Sequence, residues 1–302
     1  MNWVQTLLLL FITCLPSQTL ASNFLERQLR YPRVRAAYDA RLAVVKTDFT
    51  EAGAAWPPAR LLLRNFKLEG ELEVWAVSSG SSSDLVKVRT YPVCAKSGTL
   101  GPKLQSGDRQ VPEGVYHIDR FNPRSSYHLS LGLNYPNAVD RARSKGLDPG
   151  GDIFVHGDCV TIGCLPLDDG PMEDLYLSAI MSRQGGQRRI PVHMFPCRFG
   201  TRHCEEALSK NPNQHSVLWR ALRQVHLQFL SERQLPRVRA HRNGTYQIGS
   251  SPTAGRLKQV RRFALDPNAS QQGSTPSQGI GLELPALWNQ TRSKATLSTD
   301  PS

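Results

Sequence analysis

The sequence has only six cysteines in 302 residues, and no two of them have the C-x2-C spacing typical of structural zinc sites. We therefore expect no structural zinc site. The alternative hypothesis is a zinc site, and its candidate ligands are His156, Cys159, Cys164, His193, Cys197, His203 and Cys204. These residues lack the paired spacing, which disfavours this alternative.

The sequence also lacks the motifs of basic and aromatic residues with which many proteins bind nucleic acid, so we expect no such partner. Basic residues are nonetheless in excess, with 37 Lys and Arg against 25 Asp and Glu and a net charge of +12. This charge favours an anionic neighbourhood, such as an anionic membrane surface or an acidic polymer. A solvated basic surface is the alternative.

The N-terminal segment has no Lys or Arg, yet residues 1–21 otherwise resemble a secretory signal peptide. An apolar run extends from Leu7 to Leu15, and Thr19-Leu20-Ala21 resembles a cleavage site. Two alternatives stay open: a lipoprotein box ending at Cys14, and an uncleaved anchor, for which the run is short. The segment predicts export, and this leader is the only membrane association we expect.

Local patterns divide the rest of the chain into four segments. Residues 22–59 favour helices. Residues 60–196 consist of short segments of alternating polarity between Gly, Pro and Ser turns, which indicates a mainly β domain of sandwich or barrel-like type, with a helix over residues 172–184. Residues 197–248 show helical periodicity and predict a helical C-terminal extension. Residues 249–302 are rich in Ser, Pro, Gly, Gln and Thr and predict a disordered basic tail.

The residues with the clearest chemistry lie in residues 151–169, GDIFVHGDCVTIGCLPLDD. Ile153 to Val155 predict a short buried strand, so His156 falls at its end, where loops often carry function. Gly163 permits a tight turn beside Cys164. A free thiol has a pKa of about 8.5, so a working nucleophile needs an imidazole or amide dipoles nearby. Taken alone, the pair fits a catalytic dyad or a buried cysteine with a structural histidine equally well.

With its surroundings, this stretch resembles the L,D-transpeptidase (YkuD-domain) family, whose motif is an upstream His-Gly followed by Ser/Thr-x-Gly-Cys. Here these are His156-Gly157 and Thr161-Ile162-Gly163-Cys164. Further segments resemble the YafK-like branch of the family in the expected order, namely residues 68–77, 97–103, 107–114 and 133–140. The resemblance covers roughly residues 23–248 and implies a β-rich catalytic core with flanking helices.

The resemblance implies an exported cysteine L,D-transpeptidase that acts on peptidoglycan stem peptides in the periplasm. Cys164 is the implied nucleophile, which forms a thioester, and His156 is the implied general base and acid. A backbone carbonyl, rather than an acidic side chain, would orient the histidine. The implied reaction needs no metal and no cofactor. Gly163, Thr161 and Gly157 would form the turn and supply or shape the oxyanion donors.

Two departures from the family pattern leave alternatives open. Ile162 stands where many members have a second His, and Leu165-Pro166 stand where many have an apolar residue and Arg. That arginine usually holds the carboxylate of the donor peptide. One alternative function is therefore a hydrolase of the same fold, which would cut peptidoglycan cross-links or the tether of a wall-linked lipoprotein. A non-catalytic wall-binding protein is the other.

Further polar and aromatic residues are candidates for a substrate groove, although turn capping and surface ion pairs explain such residues as well. They are Arg109, Glu113, Arg120, Tyr127, Ser130 and Asp140.

Removal of the leader would leave five cysteines. In an oxidising compartment, an odd number predicts two disulfides and one free thiol. Cys197 and Cys204 are close enough in sequence to form a local pair, and Cys94 and Cys159 are the remaining candidates. The implied chemistry requires Cys164 to stay free.

Overall fold

The computed structural model describes residues 23–210 and 215–249 of the chain. The predicted leader over residues 1–21, and residues 250–302 of the predicted tail, lie outside the described residues. None of the helices that the described residues form is both long and apolar enough to cross a membrane.

The described chain begins with two helices. α1 (Phe24–Leu29) follows Asn23, whose side-chain oxygen accepts a hydrogen bond from the Leu25 amide at 3.1 Å. α2 (Pro32–Glu51) begins at a proline, which has no amide hydrogen to leave unpaired in the first turn. The side chains that α2 contributes to the main core are Val34, Ala37, Val45 and Phe49.

The centre of the fold is a single curled sheet of eight strands. In chain order the strands are β1 (Leu61–Phe66), β2 (Glu71–Val77), β3 (Leu85–Pro92), β4 (Gly114–Asn122), β5 (Ser130–Leu133), β6 (Phe154–His156), β7 (Leu165–Pro166) and β8 (Ile190–Phe195). Across the sheet they follow the order β3-β2-β1-β8-β4-β5-β6-β7. Within this sheet, β1 pairs parallel with β8 and β6 parallel with β7, and the other pairs are antiparallel. The prediction of a mainly β, barrel-like core is confirmed.

Helices cover both faces of the sheet. They are α3 (Ala138–Arg143), α4 (Asp169–Gln184), α5 (Arg202–Ser209) and α6 (Ser216–Glu232). Side chains of a strand alternate between the two faces, so Leu61 and Leu63 join the main core with α2 and α4, whereas Leu62 joins the core under α6. In that second core the ring of Phe229 meets the ring of Trp75 edge to face, with 4.8 Å between the centroids.

The C-terminal region differs from the prediction of helices alone over residues 197–248. α5 and α6 are followed by a hairpin of β9 (Arg237–Ala240) and β10 (Tyr246–Gly249). Its turn contains Asn243-Gly244, a strong hairpin signal, and Gly244 has a φ of +82°. In β9 the arginines alternate with Val and Ala, which is the period of a strand with one face in solvent.

Two disulfides are present among the described residues. Cys94 bonds to Cys159 across a sequence separation of 65 residues, and Cys197 bonds to Cys204 across 7. Cys164 is the one free cysteine of the described residues. The count that parity predicted, two disulfides and one free thiol, is confirmed for the described residues, and the two candidate pairs are the ones that form.

We expect the longer disulfide to contribute more to stability than the shorter one. In the loop-closure treatment, a loop of 65 residues removes about 4 kcal/mol of unfolded-state entropy and a loop of 7 residues about 2 kcal/mol. The variant Cys94→Ser/Cys159→Ser should therefore lose about 2 kcal/mol more of its free energy of unfolding than Cys197→Ser/Cys204→Ser. Urea denaturation of both variants at one pH measures the difference, and equal losses would contradict the expectation.

Candidate active site

The predicted base and nucleophile are carried by β6 and by the turn that leads into β7. Val155 pairs with Leu165 in parallel register, and both side chains belong to the main core. By the same register, Cys164 lies alongside Phe154. Because successive side chains of a strand point to opposite faces, Cys164 and His156 project from the face opposite to the core. The sequence-predicted pair is therefore brought to one side of the sheet, at the end of the strand order.

The His156 side chain is buried and oriented by the backbone. Its residue is 3% exposed, and Nδ1 lies 2.6 Å from the carbonyl oxygen of Gly157. A carbonyl can only accept a hydrogen bond, so Nδ1 carries the hydrogen and Nε2 keeps a free lone pair. Burial lowers the pKa of His156, which keeps the ring neutral near pH 7. The Tyr127 ring lies against the imidazole, with 4.9 Å between the centroids.

The Cys164 side chain is partly exposed, and its Sγ lies 3.6 Å from the carbonyl oxygen of Asp152. Burial raises the pKa of the Cys164 thiol. The backbone amide of Phe154 and the charge of Lys103 lower this pKa, whereas the charge of Asp152 raises it further. No hydrogen bond joins the thiol to His156 among the contacts of the described residues. The resting pair is thus a neutral thiol and a neutral imidazole, so the thiol proton has to leave when the sulfur attacks.

The turn before Cys164 is fixed by Thr161 and Gly163. The Thr161 hydroxyl accepts a hydrogen bond from the Gly163 amide at 3.1 Å and donates one to the Cys164 carbonyl at 2.9 Å. Gly163 has a φ of +138°, and a Cβ at this position would lie 3.2 Å from the carbonyl oxygen of Gln110. Both the backbone conformation and the space therefore require glycine.

Gly157 has a comparable constraint on the other side of the loop. A Cβ there would lie 2.6 Å from Oδ1 of Asp169 and 2.7 Å from Cβ of His128. The Gly157 amide donates to the carbonyl of Leu129 at 3.1 Å. The absence of a side chain thus lets the carbonyl of Gly157 stay beside the imidazole of His156.

The middle of the loop is fastened by the disulfide between Cys159 and Cys94. The backbone amide of Cys94 also donates to the carbonyl of Pro166 in β7, at 3.1 Å. The zinc alternative finds no support in this arrangement. Within residues 23–210 and 215–249, the group with three donors close enough to hold a metal is Cys94, Cys159 and Asp168, and its two sulfurs are already joined.

A small cavity of about 20 Å³ lies beside Cys164, with room for roughly one water molecule. Buried Asn65 lines it, together with Lys67, whose side chain is 8% exposed. The ammonium of Lys67 donates to the carbonyl oxygens of Gly101 at 2.9 Å and Val111 at 2.8 Å. Lys67 therefore fixes the long segment between β3 and β4 beside Cys164.

Most of the other candidates have structural contacts. Glu113 is buried and accepts hydrogen bonds from the Trp219 indole and the Gly101 amide, both at 2.7 Å. Asp140 is buried in the capping box of α3 and accepts a hydrogen bond from Tyr116. Arg120 pairs with Asp119 and Asp152.

Two of those candidates lie beside the histidine. The ring of Tyr127 contacts the ring of His156, and Ser130 in β5 is the register partner of His156 in β6. Arg109 lies in the segment that packs on Gly163, where its carbonyl accepts a hydrogen bond from Ser97. Sequence reasoning missed Asp152, Lys103 and Lys67. Lys103 falls in residues 97–103, one of the segments that carry the family resemblance, and this position could have marked it as a candidate.

Curated relatives of the chain include a protein of Escherichia coli that is matched over most of its length. The "Putative L,D-transpeptidase YafK" of Escherichia coli strain K12 is 30% identical over 185 residues, which are 61% of this chain and 71% of that protein. No family model matches the chain.

Two solved structures are similar at lower identity. The helical cell shape determining protein Pgp2 from Campylobacter jejuni is 20% identical with a TM-score of 0.36, over 51% of this chain and 55% of that chain. Bd1075 of Bdellovibrio bacteriovorus is 15% identical with a TM-score of 0.35, over 62% of this chain and 79% of that chain. At these TM-scores the likeness supports no inference about function.

We expect Cys164 to react slowly with iodoacetamide at neutral pH and faster as the pH rises beyond about 8.5, because burial raises its pKa and the thiolate is the reactive form. Mass spectrometry of the Cys164 peptide gives the rate at each pH. Asp152→Asn removes a charge that raises this pKa, so its profile should shift to lower pH.

The matched control is Asp119→Asn, which removes the other carboxylate partner of Arg120 and should leave the profile unchanged. A wild-type rate that is already constant above about pH 6.5 would instead indicate a thiolate paired with protonated His156.

Proposed function

Since the chain belongs to the L,D-transpeptidase family, in its YafK-like branch, we propose that it is a cysteine acyltransferase of peptidoglycan stem peptides. The observation that carries this proposal is the hydrogen bond from His156 Nδ1 to the Gly157 carbonyl. It leaves Nε2 as a base on the same face as Cys164, the one free thiol among the described residues.

In the proposed reaction, the Cys164 sulfur attacks a carbonyl carbon of the donor peptide while His156 Nε2 takes the thiol proton. The tetrahedral intermediate collapses, the peptide C–N bond breaks, and His156 returns the proton to the leaving amine. The product is a thioester on Cys164. An acceptor amine then attacks the thioester, His156 takes its proton, and the thiol is restored as the new amide forms.

Negative charge on the carbonyl oxygen needs donors in both steps. The Gly163 amide donates to Thr161, so the Cys164 amide is the better candidate for the oxyanion. Thr161 and Gly163 then have a positioning role, because they set the backbone conformation that presents Cys164. Gly157 has the same role for His156.

Hydrolysis is the second candidate function. The two residues after Cys164 support it, because neither can bind a carboxylate. Leu165 is 1% exposed and belongs to the main core, and Pro166 is also buried. Neither position offers the cation with which many relatives hold the donor carboxylate. With water as the acceptor, the same thioester would be cleaved, and the substrate would be a cross-link or a lipoprotein tether of the wall.

We also propose that the protein is exported to the periplasm. Peptidoglycan lies outside the inner membrane, and disulfides such as those of Cys94 and Cys197 persist in oxidising compartments. Residues 1–21 would supply the signal for that export.

We expect Cys164→Ala to abolish activity on purified peptidoglycan and His156→Ala to reduce it at least about 100-fold, the lower end for a general base. Liquid chromatography and mass spectrometry of the muropeptides measure both activity and product. His203→Ala, which changes an exposed histidine elsewhere, is the matched control and should retain activity. Near-wild-type activity of a folded Cys164→Ala protein would contradict the proposal.

The same muropeptide profile separates the two reactions. Transpeptidation produces a new cross-linked species and releases the terminal residue of the donor. Hydrolysis produces fragments whose summed mass exceeds that of the substrate by one water. If only hydrolytic products form when acceptor amines are abundant, the transferase assignment is replaced by the hydrolase.

A further inference from the structure

A cleft rich in arginine lies at the junction of α1 and α2. It has a volume of about 770 Å³, and its other wall is the turn between β4 and β5. We call it the arginine cleft, and its lining residues are Arg27, Arg30, Tyr31, Pro32, Arg33, Pro123 and Arg124. Four of these seven side chains carry a positive charge.

Three of these arginines have no carboxylate partner in the part of the chain that the structure describes. Among the described residues, Arg30, Arg33 and Arg124 form no ion pair with a carboxylate. The guanidinium of Arg124 lies over the ring of Tyr31, 5.1 Å from its centroid. Like charges that converge on one cleft repel each other, and they attract anions to it. The guanidinium is also the group best suited to bind a carboxylate through two parallel hydrogen bonds.

The arginine cleft shares a wall with the candidate active site. Arg33 donates from Nη1 to the carbonyl of Ser125 at 2.7 Å and to the carbonyl of His128. Between these two residues is Tyr127, whose ring lies against His156. The segment of residues 125–128 therefore contacts both Arg33 of the cleft and His156 of the candidate site.

We propose that the arginine cleft is a subsite for the free carboxylates of the peptide substrate. This inference rests on the proposed function and deepens it. Arg30 and Arg124 would bind the carboxylates, while Arg33 positions the segment that carries Tyr127. The cleft thereby supplies the cation that the buried Leu165 and Pro166 cannot supply.

A peptide fits this cleft better than an anionic membrane surface. Membrane-binding surfaces combine basic residues with exposed apolar side chains that enter the lipid. The large apolar residues that are exposed in the described chain lie elsewhere, apart from Tyr127 at the shared wall, and include Leu147, Val160 and Ile162. The cleft is also concave, as a site for a peptide side chain requires.

The test is binding of a soluble stem peptide with free carboxylates to the full chain carrying Cys164→Ala, measured by isothermal titration calorimetry. We expect Arg30→Ala/Arg124→Ala in this background to weaken binding at least about tenfold, since each arginine contributes charge-assisted hydrogen bonds. Amidation of the peptide carboxylates should weaken binding to the protein with an intact cleft by a similar factor. The matched control is Arg35→Ala, which removes an exposed arginine of α2 that does not line the cleft.

In the active enzyme, the double variant should raise KM and leave kcat close to the wild-type value, because the cleft does not touch the reacting atoms. Arg30→Lys/Arg124→Lys should bind the peptide better than the double alanine variant but more weakly than the protein with both arginines. Lysine keeps the charge but lacks the planar guanidinium that makes two parallel hydrogen bonds to a carboxylate.

Three results would overturn the subsite. They are equal peptide affinity with and without the two arginines, no effect of amidation, and binding of phosphatidylglycerol vesicles through these arginines with no binding of the peptide. If the Cys164→Ala protein with an intact cleft binds no stem peptide at all, the proposed function fails together with the subsite. If it binds the peptide with the same affinity as the variant that also carries Arg30→Ala/Arg124→Ala, the subsite alone fails.

Discussion

The geometry of the candidate site depends on an unusually short parallel connection. Parallel neighbours in a sheet usually need a crossover of a dozen or more residues, whereas residues 157–164 alone join β6 to β7. So short a connection requires a strained backbone, and Asp158 and Gly163 have φ values of +66° and +138°. The disulfide at Cys159 fastens the middle of the loop. The same constraint holds His156 and Cys164 at the two ends of the loop, on one side of the sheet.

Local sequence information was enough to group the candidate residues, because they are close together in the chain. His156, Gly163 and Cys164 fall within nine residues. The parity of the cysteines predicted two disulfides and one free thiol, and the closeness of Cys197 to Cys204 left Cys94 and Cys159 as the second candidate pair once the implied chemistry kept Cys164 free. Lys67, which follows β1, and Lys103, in the long segment between β3 and β4, could not be predicted in the same way, since both are far from the site in the sequence. The hairpin of β9 and β10 was not predicted from the helical pattern that precedes it. Its Asn243-Gly244 turn favours a hairpin after the helical region.

The excess of positive charge divides into two groups that composition cannot distinguish. Lys67 lies 3.6 Å from Glu113, and Arg64 lies 3.4 Å from Glu73 with its guanidinium 4.2 Å from the centre of the Phe229 ring. Removing one partner of such a pair leaves an uncompensated buried charge, so the loss of either partner would destabilise the fold. The arginine cleft belongs to the other group, which is exposed to solvent. Only that group is available to an anionic ligand, and its position beside Tyr127 is a property of the tertiary structure.

The protonation state of the resting site suits a free thiol in an oxidising compartment. Oxidation of cysteine follows its thiolate fraction, and burial raises the pKa of the Cys164 thiol, which keeps it protonated at neutral pH. In the proposed reaction, the neutral His156 would take the proton only when a substrate carbonyl is in place for the sulfur to attack. The rate of such a site would depend on the position of the substrate rather than on a permanently ionised nucleophile. The segment that carries Tyr127, held by Arg33 on one side and in contact with His156 on the other, would then be as important to the proposed chemistry as the loop that carries the thiol.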